Sequence, residues 1–270
     1  MSKVILITGA SSGMGKTAAL KLIEQGHKVY TAARRIEQMQ DIKALGGFPL
    51  QMDISQEADV QKTVDTIIQA EGKIDVLWNN AGYGLYGSVE EIPVSEARKQ
   101  FEVNLFGLAS LTQKVTPYMR SAKSGTIINT SSMGGKMYTP MGAWYHATKH
   151  ALEGWSDCLR LELQPFNIKV VVLEPGLIET EFGSVMLDSI SAFSGKGPYK
   201  GIVDKLVVAT HKMYEQGGTK TAVIADTIVK IVNSANPKTR YRVGKWAKPM
   251  VWMRVYLGDR LFDRIVMSQI

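Results

Sequence analysis

Val4-Ile5-Leu6-Ile7-Thr8-Gly9-Ala10-Ser11-Ser12-Gly13-Met14-Gly15 is the stretch that decides the fold. It begins as a short apolar, β-branched run, passes through a glycine turn, and the spacing then predicts a helix over Gly15 to Gln25. A strand that enters a helix in this way aims backbone N–H groups and the positive end of the helix dipole at whatever lies above the turn. An anion belongs there. Glycines let the chain turn tightly, approach a pyrophosphate and pack helix on strand, the logic of a dinucleotide-binding turn built from Gly9, Ser11, Ser12, Gly13, Met14 and Gly15. Ala10 to Thr17 is also one substitution from a P-loop, with Ala10 where its first glycine should be. Against that reading, Asp75 lies at the start of its strand rather than at the end, where a magnesium-binding acid belongs.

Outward from this turn the same alternation repeats. Strands are predicted at Val4–Thr8, Lys28–Ala32, Pro49–Met52, Asp75–Asn79, Thr126–Thr130, Lys169–Leu173 and Tyr241–Val243. Helices are predicted at Ile36–Ala44, Gln56–Ala70, Ser95–Arg120, Ala143–Leu163 and Ala222–Val232. The pattern is that of an α/β protein, a Rossmann-type doubly wound sheet of about seven parallel strands with helices on both faces. No repeat or Pro/Gly/Ser linker divides residues 1–270, so a single domain is expected. Residues 183–218 are polar, glycine-punctuated and weakly periodic, and are read as a lid over a substrate pocket.

The chain has 270 residues, 45% apolar and 21% charged, which excludes a mini-protein and a disordered or collagen-like chain. A lone cysteine, Cys158, cannot form an internal disulfide, and with only 4 histidines a thiolate-rich zinc site is excluded too. No export signal or membrane-spanning run is visible, so a reducing, cytoplasmic setting is expected. Of the net charge of +7, residues 236–270 carry +6 from eight basic and two acidic residues, so the excess is local and no nucleic-acid partner is expected.

The dinucleotide is selected roughly 20 residues past the turn, where an acid would hold the free ribose hydroxyls of NAD(H). Here the second strand ends Ala32-Ala33-Arg34-Arg35, without an acid. Two guanidinium groups favour a 2′-phosphate, so NADP(H) is expected, with Arg34 the leading candidate, Arg35 beside it and Ser11 adding a hydroxyl.

Further along, Tyr145 and Lys149 lie four apart and share a helix face. At ~6 Å and an effective dielectric of about 20, an ammonium stabilises a phenolate by about 3 kcal/mol, or about two pKa units. A tyrosine so adjusted is a usable general acid and base near neutrality.

Taken in order, several motifs resemble the short-chain dehydrogenase/reductase family in its shorter, single-domain branch, over nearly the whole chain through Thr180. They are the glycine turn at 8–15, Asp53-Ile54, Asn79-Asn80-Ala81-Gly82, Asn104, Ser132, Tyr145 with Lys149, and Pro175-Gly176 with Thr180. The resemblance implies Tyr145 as proton donor or acceptor, Ser132 polarising the substrate oxygen, and Lys149 lowering the tyrosine pKa while binding the nicotinamide ribose. It implies that Asn104 interrupts its helix and holds a water that relays the proton. It also implies that Asp53 and Ile54 face the adenine, that Asn80, Ala81 and Gly82 line the adenosine, and that Pro175, Gly176, Ile178 and Thr180 frame the carboxamide. The expected activity is hydride transfer between a hydroxyl and a carbonyl; a non-catalytic dinucleotide sensor on the same fold is the alternative, disfavoured by the intact Ser132, Tyr145, Lys149 set.

Met133, Trp144, Phe182 and Met186 are expected to line a mainly apolar pocket for a lipid-, steroid- or retinoid-like alcohol or ketone. Residues 147–163 and 240–244 are similar to the steroid and retinol dehydrogenase side of the family, and a homo-oligomer is expected with them. The ending 245–270 mixes Trp246, Trp252, Tyr256 and Phe262 with basic residues, which fits either packing over the pocket or peripheral membrane contact. His146 and His150 are four apart, but no glutamate follows the first and no third ligand is apparent, so no metal is expected. Asn129-Thr130-Ser131 matches a glycosylation acceptor, which without an export route has no chemistry attached to it.

Overall fold

The computed structural model describes residues 2–269. From the N-terminus run β1 (Val4–Thr8), α1 (Gly13–Glu24), β2 (Lys28–Ala33), α2 (Gln40–Ala44), β3 (Phe48–Gln51), α3 (Glu57–Glu71) and β4 (Val76–Asn79). Next come α4 (Val94–Phe101), α5 (Gly107–Ala122), β5 (Gly125–Thr130), α6 (Ala143–Leu163) and β6 (Ile168–Pro175). Then follow α7 (Phe182–Ser194), α8 (Lys200–Glu215), α9 (Thr221–Asn233), β7 (Arg240–Val243), α10 (Ala247–Tyr256) and α11 (Asp259–Met267).

The seven strands form one sheet in the order β3-β2-β1-β4-β5-β6-β7, and every pairing is parallel. β1 lies inside it and is buried along its whole length, which explains the uninterrupted apolar run: a strand covered on both faces needs apolar side chains at consecutive positions. Ile5 and Ile7 pack with Ala18 and Leu22 of α1 and with Ile224 and Ile228 of α9. Val4 and Leu6 point the other way, toward Val64 of α3 and Leu111 and Val115 of α5. The order reverses between β1 and β4, so the crevice of a doubly wound sheet opens above the glycine turn. At the opposite, N-terminal edge, Asp75 accepts the Val4 N–H at 2.7 Å, so its carboxylate lies far from any phosphate above the turn.

Two expectations are corrected. The helix predicted over Ser95–Arg120 is broken by a π-helical turn at Glu102–Phe106, which separates α4 from α5. The segment 183–218, read as irregular, holds α7 and α8. The helical signal was present in the spacing of Phe182, Met186, Ile190 and Phe193, but Gly195, Gly197, Pro198 and Gly201 crowd the junction and conceal two helices as one broken loop.

Candidate active site

The C-terminal ends of β1, β4, β5 and β6 bring the expected site residues to one edge of the sheet. Gly9 and Gly13 have φ of +66° and +57°, a region that side chains rarely adopt. A Cβ on Gly9 would lie 2.8 Å from Ala81 Cα, and one on Gly15 would lie 2.7 Å from Asn80 Nδ2. Asn80-Ala81-Gly82 therefore buttresses the turn. Asn80 Nδ2 donates to Thr8 O at 3.1 Å, while the Asn80 and Ala81 amides each donate to Thr8 Oγ1 at 3.0 Å. The turn opens α1, and no acidic side chain occupies the first turn of that helix.

Between β2 and the turn, Arg35 reaches the serines of the glycine turn: its Nη2 donates to Ser11 Oγ at 3.3 Å and Ser12 Oγ at 3.4 Å. Both arginines are exposed, and among the described residues the Arg34 side chain makes no such hydrogen bond. The alternation of β2 ends at Ala33, and the irregular turn that follows brings Arg35 to these serines. Glu181, which the sequence reading did not single out, completes the group: its Oε2 accepts from Ser12 Oγ at 3.3 Å and lies 3.6 Å from Arg35. A carboxylate thus rests on the donors expected to hold phosphate. The donor set gathers negative charge, as a dinucleotide site must, and it fits such a group. Nearby, Asp53 Oδ1 accepts from the Ser55 amide at 3.0 Å and Ser55 Oγ at 2.7 Å. Ile54 is buried, with its carbonyl pressed against Gly107, where only a glycine fits.

At the other end of the crevice stand Ser132, Tyr145 and Lys149. Beneath them a buried polar ladder ties β4 and β5 to α5 and α6: Asn79 Nδ2 donates to Thr112 Oγ1 and Asn129 Oδ1, and Asn129 Nδ2 donates to Ser156 Oγ. Ser132 Oγ accepts the Gly134 amide at 3.0 Å and stands close enough to the Tyr145 phenol to oppose the rise in its pKa. Lys149 Nζ donates to Thr130 O at 2.8 Å and lies 6.0 Å from the Tyr145 ring centre. Asn104 sits in the π-helical turn, so the helix is interrupted where the resemblance implied. Its amide, however, is committed to the backbone of Tyr83, accepting from N at 3.1 Å and donating to O at 2.9 Å. A Cβ on Gly82 would touch both Asn104 Oδ1 and Lys149 Nζ, which places the two residues side by side.

The electrostatics correct the expected tyrosine pKa. Burial pushes the Tyr145 phenol up to about 12, against an opposing hydrogen bond from Ser132, and burial pulls the Lys149 ammonium down to about 8, against the opposing charge of Glu153. Desolvation is the largest cause for each group.

His146, one turn from Lys149, turns out to hold the Ser132 loop. Its Nδ1 meets Gly134 O at 2.9 Å and its Nε2 accepts the Thr139 amide at 3.1 Å, so the ring is neutral with its proton on Nδ1. Burial drives its pKa down to about 4. Both nitrogens are engaged by backbone, which leaves neither for a metal.

Of the expected pocket residues, Phe182 and Met186 pack with Tyr145, alongside Tyr86 and Ile190. The Phe182 and Tyr86 rings lie 5.3 Å and 5.6 Å from that of Tyr145. Met133 instead packs with Met137, Met250, Met253 and Phe262 beneath the C-terminal helices. Trp144 is turned away by its place on α6 and lines a hollow of about 270 Å³ with Val94, Phe101 and Phe106, so it does not belong to the pocket. Pro175 and Gly176 close β6, where a Cβ on Gly176 would strike Lys245 O. Ile178 is buried, and Thr180 Cγ2 sits 3.3 Å from where a Cβ on Gly13 would stand. The two ends of the crevice are thus joined by the segment that enters α7.

A model of the short chain dehydrogenase family matches residues 3–189. The chain belongs to that family. Its members are oxidoreductases built around a nicotinamide dinucleotide. Over 259 residues this short-chain dehydrogenase is 36% identical to a 3-ketodihydrosphingosine reductase of Bacteroides thetaiotaomicron, covering 93% of each chain. It is 31% identical over 269 residues to an uncharacterized oxidoreductase, YbbO, of Escherichia coli K12, covering 98% of this chain and 94% of the relative. A short-chain dehydrogenase from Streptomyces avermitilis superposes with a TM-score of 0.83 at 29% identity, over 99% of this chain and 95% of that one.

Proposed function

We propose that this protein is an NADP(H)-dependent oxidoreductase that interconverts a carbonyl and a hydroxyl on a mainly apolar small molecule, with Tyr145 as general acid and base. The observation that carries the reading is the meeting of Ser132, Tyr145 and Lys149 at the sheet edge that also holds the glycine turn, under the apolar cover of Tyr86, Phe182 and Met186.

In the reductive direction the bound dinucleotide supplies the hydride. Ser132 Oγ–H and Tyr145 Oη–H converge on the carbonyl oxygen and polarise it, and as negative charge develops there Tyr145 delivers its proton. Lys149, anchored by Thr130 O, supplies the positive charge that stabilises the phenolate left behind. Contact with substrate and dinucleotide replaces the hydrocarbon surroundings that raise the Tyr145 pKa, which brings the phenol toward the value its role requires. Arg35, Ser11 and Arg34 form the basic rim for a 2′-phosphate. Asn104 acts as a positioning residue, holding Tyr83 and Gly82 against Lys149.

The pocket chemistry argues for a ketone carried on an extended apolar body, and the likeness to a 3-ketodihydrosphingosine reductase points the same way. A panel of long-chain aliphatic, aromatic and steroidal ketones, followed by NADPH oxidation, tests this. Turnover should be greatest with long-chain or polycyclic ketones; turnover of small polar ketones alone would overturn the pocket assignment. The hollow that holds Trp144 and the half-exposed Phe106 is where we place the expected contact with a second copy. Sedimentation of Phe106→Glu tests it: a shift to monomer is expected, and an unchanged sedimentation coefficient places the contact elsewhere.

A further inference from the structure

α10 has two apolar faces and only one of them is used. Ala247 and Val251 are buried, and Met250 and Met253 join Met133 and Phe262 in the C-terminal cluster. On the other side Trp252, Val255 and Tyr256 are 55%, 57% and 71% exposed, with the two aromatic rings 5.8 Å apart. A contiguous aromatic face turned to water marks a surface that meets something.

Beside it opens a hollow of about 750 Å³ lined by Arg240, Arg242, Lys248, Pro249 and Trp252. The two guanidinium groups are fixed from behind: Arg240 pairs with Glu153, Asp157 and Glu174, and Arg242 pairs with Glu174. Among the described residues Lys248, Arg260 and Arg264 have no acidic partner at salt-bridge distance. Aromatic rings that prefer a water–hydrocarbon boundary therefore stand next to a cationic recess, within the segment that carries six of the seven net positive charges.

We propose that α10 and this hollow form a docking face for an anionic phospholipid bilayer, with Trp252 and Tyr256 seated among the headgroups and the Arg242–Lys248 recess receiving a lipid phosphate. Charge decides between this occupant and a second copy of the chain. A twofold contact centred on the recess would bring two copies of this basic patch together, whereas an anionic leaflet neutralises it. Among the described residues no helix is long and apolar enough to cross a membrane, so the contact is one of lying on the surface. Docking there sets the bilayer one helix away from Met133, the chain neighbour of Ser132. The inference does not depend on the reaction proposed above.

The test is co-sedimentation of the full chain with vesicles of phosphatidylcholine alone and of equimolar phosphatidylcholine and phosphatidylglycerol, at about 0.1 M and about 0.5 M salt. We expect about tenfold stronger partition onto the anionic vesicles at the lower salt, lost at the higher. Trp252→Ser/Tyr256→Ser and, separately, Lys248→Glu should each reduce that partition about tenfold with an unchanged Tm. Equal partition onto both vesicles, or none, overturns the proposal, as does full binding by the folded double variant. If the double substitution instead shifts the sedimentation coefficient in lipid-free solution, a second copy covers the face and the bilayer reading fails.

Discussion

The chain through Thr180 and the chain beyond it solve different problems. The first part must bring backbone close to a charged ligand, and it does so with residues for which few substitutes exist: Gly9 at positive φ against Ala81, Gly15 against Asn80, Gly107 against Ile54. Side-chain hydrogen bonds tie Thr8 to Asn80 and run from Asn79 through Asn129 to Ser156. The second part, α7 to α11, covers Tyr145 and the Ser132 loop with Phe182, Met186, Ile190, Met250 and Phe262. Many apolar sets would cover them equally well, because burial is non-directional and depends on area more than identity. On the reading proposed above, the first part would carry the chemistry and the cover would choose the substrate.

The sharpest way to break this contrast is Tyr145→Phe. If the first part alone carries the chemistry, turnover should fall by roughly 10²- to 10⁴-fold while NADPH affinity, measured by fluorescence titration, changes little. Retained turnover would move the acid/base role elsewhere and remove the reason for treating the cover as passive.

A second test uses pH. His146 has its pKa lowered from 6.5 to about 4, so the unfolded chain binds a proton in this window and the folded chain does not. Stability is therefore fully present above the unfolded value and is lost as pH falls from about 6.5 toward 4, by on the order of 3 kcal/mol at most. Denaturant midpoints taken across this range should fall for the native sequence and fall less for His146→Gln. Lys149 runs the same way at higher pH: with its pKa lowered from 10.5 to about 8, the cost of burying its charge is present below 8 and is relieved as pH rises from 8 to 10.5. A flat profile from pH 4 to 6.5 would mean that His146 is hydrated and does not hold the Gly134 loop.

These two tests also mark what could be read from sequence. The sheet, all seven strands and the glycine turn follow from period, β-branching and turn chemistry, which are local properties, whereas the helical interruption at Asn104 came only from the family resemblance. The Tyr145 pKa did not follow, because the attraction from Lys149 is a pairwise quantity that spacing gives, whereas desolvation depends on Tyr86 and Phe182, which arrive from distant parts of the chain. The role of His146 did not follow either, because spacing shows i and i+4 but not the backbone groups of Gly134 and Thr139 that engage its ring. Trp144 was placed in the pocket on composition, although its helical neighbour Tyr145 already claimed that face.

A finer test separates the two arginines at the end of β2. Arg35→Ala should weaken NADPH about tenfold and NADH much less, since Arg35 reaches Ser11 and Ser12. Arg34→Ala should cost less than Arg35→Ala. Equal losses for both dinucleotides would mean that neither side chain reads the 2′-phosphate.

The smallest expected effect lies on the seam between the two parts. Glu181 precedes α7, yet its carboxylate reaches back over Ser12 and Arg35, the donors we assign to the dinucleotide. An incoming phosphate meets like charge there and must displace it. The Glu181 and Arg35 side chains are 64% and 47% exposed, so water and salt screen the contact and its worth is that of a surface ion pair. Glu181→Gln removes the repulsion and keeps the side-chain length, so NADPH should bind about threefold more tightly at low salt, with the gain shrinking as salt rises. Binding of NADH should tighten less, because it lacks the phosphate nearest Arg35. Weaker binding of both would show instead that Glu181 orders the entry to α7 and that the cover helps to build the dinucleotide site, which would dissolve the division between the two parts of the chain.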